Sequence, residues 1–101
     1  MKIVTFNEMD QSIIDDKHEV EHYQSGSSGD AVIAILDIDT IFDFEENKSS
    51  ACAKKYVSVA IIEDDGDYDA FKNFGIDTWI KASDLNNLNS LLNLIEKRLL
   101  S

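Results

Sequence analysis

The sequence lacks proline, contains a single cysteine and has few basic residues. Cys52 has no second cysteine to pair with, which excludes an internal disulfide and favours a reducing compartment, the cytoplasm. We interpret Cys52 as a small core residue rather than a nucleophile. Nine Lys and Arg residues stand against 20 Asp and Glu residues, a formal net charge of −11. A field of this sign repels nucleic acids and anionic membrane surfaces, so we expect neither as a partner.

Long hydrophobic runs are also missing. The longest apolar run, at residues 31–36, is far shorter than the roughly 20 residues that cross a bilayer. The first ten residues lack the basic and apolar regions of a signal peptide. With 101 residues, of which 44% are hydrophobic, we expect one folded domain that spans residues 1–101.

What is present is an alternation of strand and helix patterns. We predict strands at residues 2–6, 31–36, 56–62 and 77–82. The second and third are continuous apolar runs, which are typical of parallel strands covered on both faces. Residues 7–24 are ambiguous between helix and strand. The alternation predicts an α/β fold, a three-layer sandwich with a parallel sheet.

The last segment carries the clearest helical pattern. One apolar stripe repeats at spacings of three and four residues, formed by Leu85, Leu88, Leu92, Ile95 and Leu99. We predict that Ser83 caps the N-terminus of this helix, and that the stripe packs on the sheet. A shorter helix at residues 67–75 is expected to end at Gly75. The stretch "QSGSSGD" at residues 24–30 is predicted to be a loop.

Polar residues follow the predicted strands. In an open parallel sheet such residues converge just beyond the carboxyl ends of the strands. Crowded carboxylates repel one another, so they favour water, a proton or a divalent cation such as Mg²⁺. The residues that we expect at this edge are Asn7, Glu8, Asp37, Asp39, Glu63, Asp64, Asp65 and Lys81.

The stretches "AVIAILDID", "YVSVAII", "GIDTW" and "DLNNLNSLL" together resemble a response-regulator receiver domain over most of the chain, in a shortened, flavodoxin-like form. The resemblance implies that Asp37 is the phosphorylated aspartate and that Trp79 is the aromatic residue that reports the switch. Lys81 stands nearest to the family's lysine, but it comes two residues after the aromatic instead of three and precedes Ala82 instead of proline.

The resemblance also implies a Mg²⁺ site. Phe6 and Asn7 occupy the position of the family's acidic pair, and Glu8 comes one residue beyond it. Asn7, Glu8 and Asp37 are the candidate ligands, with Asp39 as a supporting carboxylate. Ile62 or Glu63 occupies the place of the family's hydroxyl residue. We therefore expect an atypical receiver, or pseudo-receiver, that is not an enzyme and acts in the cytoplasm by contacting proteins. Expected partners are a histidine kinase or another signalling protein, and a homodimer is also allowed.

Two alternatives use the same carboxylates. "LDIDTIFD" is similar to the motif of haloacid-dehalogenase phosphatases, in which Asp37 would be the nucleophile and Asp39 the general acid and base. Thr40 comes one position early for that motif, and the chain after it is short for the remaining motifs. A Toprim-like Mg²⁺ site of Glu8, Asp37 and Asp39 is disfavoured by the net charge.

Two further patterns are weaker. "HEVEH" fits the H-E-x-x-H pattern, which would place His18 and His22 on one helix face as zinc ligands, but charged neighbours and the lack of a third ligand favour solvated histidines. "DGDYDA" begins like a calcium-binding loop, but Ala70 replaces the glycine that such a loop needs.

Overall fold

Five parallel strands form one sheet in the order β2-β1-β3-β4-β5. The computed structural model describes residues 1–24 and 29–100. The strands are β1 Lys2–Thr5, β2 Glu19–His22, β3 Ala31–Asp37, β4 Cys52–Ile62 and β5 Thr78–Lys81. The helices are α1 Ile41–Ala51, α2 Asp65–Phe71 and α3 Leu88–Arg98. Short 3-10 helices span Gln11–Ile13, Ile38–Thr40, Lys72–Phe74 and Ala82–Asn87.

This architecture confirms the predicted α/β fold with a parallel sheet between two outer layers. On one face, α1 and α2 bury Phe44 and Phe71 against Val4, Leu36 and Ala60. On the other face, α3 buries Leu88, Leu92 and Ile95 against alternate residues of the same strands, and Ile14 joins this second cluster. Alternate residues of each strand belong to different clusters, because successive side chains of a strand point to opposite faces of the sheet. None of the helices described is long and apolar enough to span a membrane.

The observed strands differ from the predicted ones by one residue at several ends and by four residues at the start of β4. β4 begins at Cys52 rather than at Tyr56, and its pairing with β3 is irregular, since Ala31 lies beside Cys52 and Ile33 beside Val57. This bulge leaves Lys54 and Lys55 exposed, and their charge hid the start of the strand from pattern analysis. The ambiguous residues 7–24 contain a 3-10 helix and the edge strand β2.

The predicted cap at Ser83 is wrong. Residues Ala82–Asn87 form a 3-10 segment with a kink at Asp84, where φ is −109° and ψ is 15°, and α3 begins only at Leu88. The residue before α3, Asn87, makes no side-chain capping bond with the described residues. Leu99, predicted to belong to the buried stripe, is 50% exposed because the helix ends at Arg98.

The helix end predicted at Gly75 and the loop predicted at residues 24–30 have different outcomes. Gly75 ends the segment after α2 with a left-handed backbone, φ 67°, as predicted for a glycine in that place. Of the predicted loop at 24–30, residues 25–28 lie outside the described residues, and Gln24, Gly29 and Asp30 belong to neither a helix nor a strand. This stretch connects β2 to β3.

Candidate functional site at the carboxyl ends of the strands

The parallel order brings the ends of the strands to one side of the sheet, which we call the carboxyl edge. Asp37 and Lys81 are the last residues of β3 and β5, Asp64 follows β4, and Asn7 follows β1. β3 is the central strand, with β1 and β4 as its neighbours. Ligand sites of open α/β sheets lie at this edge, so the predicted site residues share the expected location.

Asp37 closes a reciprocal hydrogen-bonded box with Thr40. Its Oδ1 accepts bonds from the backbone N of Thr40 at 3.1 Å and from Thr40 Oγ1 at 2.9 Å. The backbone N of Asp37 in turn donates to Thr40 Oγ1 at 3.1 Å. This capping box starts the 3-10 helix Ile38–Thr40 that leads into α1. Asp37 therefore has a structural role through Oδ1, whereas its Oδ2 accepts no hydrogen bond from the residues described.

Asn7 lies beside Asp37 at the carboxyl edge. Thr5 is level with Ile35, and the next backbone N, of Phe6, donates to the Ile35 carbonyl at 2.8 Å. Extending this register by two residues brings Asn7 level with Asp37. Asn7 is buried, and its Oδ1 has no hydrogen-bond partner among the described residues. A buried amide oxygen without a donor is a costly group, and it is also an oxygen of the kind that Mg²⁺ binds.

Other carboxylates of the carboxyl edge cap α2. Asp64 Oδ1 accepts from the backbone N of Gly66 at 2.8 Å and of Asp67 at 3.3 Å. Asp67 Oδ2 accepts from the backbone N of Glu63 at 3.0 Å. The fragment "DGDYDA" is therefore the first turns of a helix rather than a calcium loop. Glu8 and Asp39 are exposed at the same edge.

Lys81 does not contact Asp37. Their strands are separated by β4, since Asp37 is level with Ile61 and Ile61 with Ile80, which puts about 10 Å between the backbones of Asp37 and Ile80. Within the described part of the chain, Lys81 forms no ion pair shorter than 4.0 Å. Lys81 lines instead a groove at the outer side of β5.

This β5 groove lies between α2 and α3 and has a volume of about 590 Å³. Its apolar wall includes Tyr68 of α2, Trp79 of β5, and Leu91 and Leu94 of α3. The rings of Tyr68 and Trp79 are 5.0 Å apart and tilted by 41°. Trp79 Nε1 is shielded from solvent and finds no hydrogen-bond partner among the residues described. The volume is typical of a ligand or partner site, and a few polar groups, including Lys81, lie at its rim.

The histidines form no metal site with the other described residues. His18 directly precedes the strand β2 and His22 ends it, so the two histidines are not on one face of a helix. His18 is buried, and its Nδ1 lies 3.1 Å from the chain amino group. Burial and that positive charge lower the pKa of His18. Across residues 1–24 and 29–100, no cluster of three or more His, Cys, Asp or Glu side chains has the geometry to hold a metal ion.

Comparison of the chain with protein-family models, with curated proteins and with solved structures found no match. The sequence interpretation missed Tyr68 and Leu94, which are 45% and 47% exposed in the β5 groove. One signal was present, because Leu91 and Leu94 lie beside the apolar stripe of the last helix and widen its hydrophobic surface.

Proposed function

We propose that this protein is a receiver-like signalling module of the cytoplasm, which acts by binding protein partners through the face formed by β5 and α3. The observation that carries the proposal is the β5 groove, an apolar surface around Trp79 that Lys81 also lines. The strand order β2-β1-β3-β4-β5, with an aspartate ending the central strand, also supports it. A histidine kinase or another signalling protein is the class of partner that such a module would contact.

Asp37 is the proposed point of regulation. Its Oδ1 is held by Thr40, so the carboxylate is fixed in orientation while Oδ2 accepts no bond from the described residues. Attack of Oδ2 on the phosphorus of a phosphoryl donor would form an acyl phosphate as the bond from phosphorus to the leaving group breaks. The new charge must be neutralised by cations, because phosphoryl transfer depends on electrostatic stabilisation more than on covalent chemistry.

Mg²⁺ is the proposed cation at Asp37. The buried Asn7 Oδ1, which has no donor in the described structure, fits as an oxygen ligand beside Asp37. Glu8 is exposed one residue farther along and would be the third ligand. When bound, Mg²⁺ would neutralise phosphoryl oxygens, while Thr40 keeps the Asp37 carboxylate in place.

Lys81 would connect Asp37 to the β5 groove. It lies at the end of β5, two residues from Trp79, and lines the groove. The flexible ammonium of a lysine is attracted by a phosphoryl group. Movement of Lys81 toward a phosphoryl group on Asp37 would change the polar rim of the groove and the surroundings of the only tryptophan.

The experiment incubates the protein with acetyl phosphate and Mg²⁺ and follows both intact mass and Trp79 fluorescence. The expected result is one added phosphoryl group, mapped to Asp37, together with a change in emission. Asp37→Asn should abolish both signals, and the matched variant Asp43→Asn, at an exposed position of α1, should retain them. Modification that persists in Asp37→Asn, or a chain that takes up no phosphoryl group, would refute the role of Asp37.

A further inference from the structure

The two edge strands of the sheet, β2 and β5, are protected to different degrees against pairing with a strand of another molecule. β2 carries Glu19 and Glu21, and Lys2 of β1 lies 3.2 Å and 3.6 Å from their carboxylates. β5 has the sequence TWIK, in which Lys81 is the only charged residue. An edge strand with few charges is open to pairing with another strand, and natural proteins usually block such edges. The β5 edge is instead flanked by the half-exposed Tyr68 and Leu94.

The faces of β5 restrict how a second strand can pair with it. Asp77 lies on the α1 and α2 face, because its Oδ2 accepts from the backbone N and Oγ of Ser58 at 2.9 Å and 3.0 Å. Trp79 packs on the same face, and Lys81 lines the groove with it. A two-fold axis perpendicular to the sheet pairs β5 with its own copy in antiparallel fashion and preserves the faces. Residues then lie opposite only residues of the same face.

One register of this antiparallel pairing places opposite charges across from each other. If Trp79 lies opposite Trp79 of the second copy, Asp77 lies opposite Lys81, and by symmetry this pair forms twice. Lys81 has no ion-pair partner within 4.0 Å in the part of the chain that the structure describes. Asp77 is exposed and binds Ser58 through Oδ2, so Oδ1 is left to accept from the lysine. Opposite charges directly across an antiparallel pair are stabilising, and the two tryptophans would extend the apolar contact.

We propose that two copies of this chain pair antiparallel through β5 and form one continuous sheet, with Trp79 at the two-fold axis. The inference rests on the proposed function only in that it names a partner for the same face, and it needs neither Mg²⁺ nor modification of Asp37. Two chains of charge −11 repel at long range. At physiological salt that repulsion is screened beyond about 8 Å, whereas the paired charges at the contact are much closer.

The first experiment is sedimentation velocity of the unmodified chain over a concentration series at about 150 mM salt. A dimer is expected, and a chain that stays monomeric at the highest concentration overturns the proposal. Leu94→Lys should weaken the dimer at least tenfold, because residue 94 lines the β5 groove. Leu99→Lys is the matched control, since Leu99 directly follows the same helix and is about as exposed but lies outside the groove, and it should leave the dimer unchanged. Equal effects of both substitutions would place the interface elsewhere.

The second experiment tests the register. A carbodiimide reagent joins a lysine to a carboxylate only when the two are in contact. Within one chain, Asp77 and Lys81 are four residues apart along an extended segment, about 13 Å, so they cannot react with each other there. A crosslink between Asp77 and Lys81 that is confined to the dimer supports the register, and a dimer without it refutes the register. Dimerisation is measured without acetyl phosphate, so its failure is distinguishable from a failure of phosphorylation at Asp37.

Discussion

Replacement of Asp37 by alanine should destabilise the fold even in the absence of any phosphoryl donor. The substitution removes the acceptor of two hydrogen bonds from Thr40. The backbone N of Thr40 and its hydroxyl then need new partners at the start of the segment that leads into α1. Loss of such a cap costs typically about 1 kcal/mol, with a range of about 0.5–2 kcal/mol. For a domain of this size we expect the melting temperature to fall by about 4–8 °C for each kcal/mol.

The conservative substitution Asp37→Asn separates the effect of the capping bonds on stability from the effect of the negative charge. Asn is as good a cap as Asp, so Asp37→Asn should retain the unfolding free energy of the unmodified chain within about 0.5 kcal/mol. Thr40→Val removes the hydroxyl of the same box and should reproduce part of the loss. Because the two residues contact each other, the double variant Asp37→Ala with Thr40→Val should lose less than the sum of the single losses.

The measurement is urea unfolding followed by Trp79 fluorescence and by far-UV circular dichroism. Asp39→Ala is the control, since Asp39 is exposed and makes no capping bond with the described residues. An Asp37→Ala variant as stable as the unmodified chain, or an Asp37→Asn variant as unstable as Asp37→Ala, would refute the capping argument. If the argument holds, loss of phosphorylation in Asp37→Asn cannot be attributed to unfolding.

Three further predictions concern buried polar groups. Burial, and next the positive chain amino group, lower the pKa of His18 below its usual 6.5, so the unfolded chain binds the proton more readily than the folded chain. The unfolding free energy should therefore decrease as the pH falls below 6.5. His18→Gln should flatten that dependence in urea titrations. Burial raises the pKa of Cys52 to about 11, so a thiol reagent at about pH 8 should modify it much faster in urea than in the native state, and equal rates would contradict its burial. Ser58→Ala should cost about 1–3 kcal/mol of unfolding free energy, because the buried Ser58 both donates to Asp77 and accepts from its backbone N, whereas Ser49→Ala on the surface should change little.

The layers of the fold could be predicted from the sequence because the two central strands are continuous apolar runs. The edge strand β2 could not be identified, since Val20 is its only apolar residue and Glu19 and Glu21 carry charge. An edge strand exposes much of its surface, so hydrophobic patterning is weak there by its nature. The cap of α3 was misplaced for a different reason: Ser83 is a good capping residue, but the kink at Asp84 delays the helix.

The candidate site was predictable in position but not in the roles of its residues. The aspartate that ends β3 and the threonine three residues later already formed a readable capping signal in "DIDT". Whether Lys81 reaches Asp37 depended on the face and order of the strands, which a single sequence does not specify. The β5 groove depends on the placement of α2 against α3, and such long-range geometry leaves only an indirect trace in the extra leucines of the last helix.

The acidity of the carboxyl edge has a structural origin that limits what it implies about chemistry. In an alternating α/β chain every helix starts at the carboxyl edge, where its N-terminus favours carboxylates, and ends at the opposite edge, where its C-terminus favours cations. Asp37 and Asp64 are caps of this kind, and Lys97 and Arg98 lie in the last turn of α3. Capping therefore explains part of the charge separation without any ligand. The features that capping does not explain are the unbonded oxygen of Asn7 and the position of Lys81, which alone among the described lysines and arginines ends a strand. A functional role of the edge would depend on these two residues.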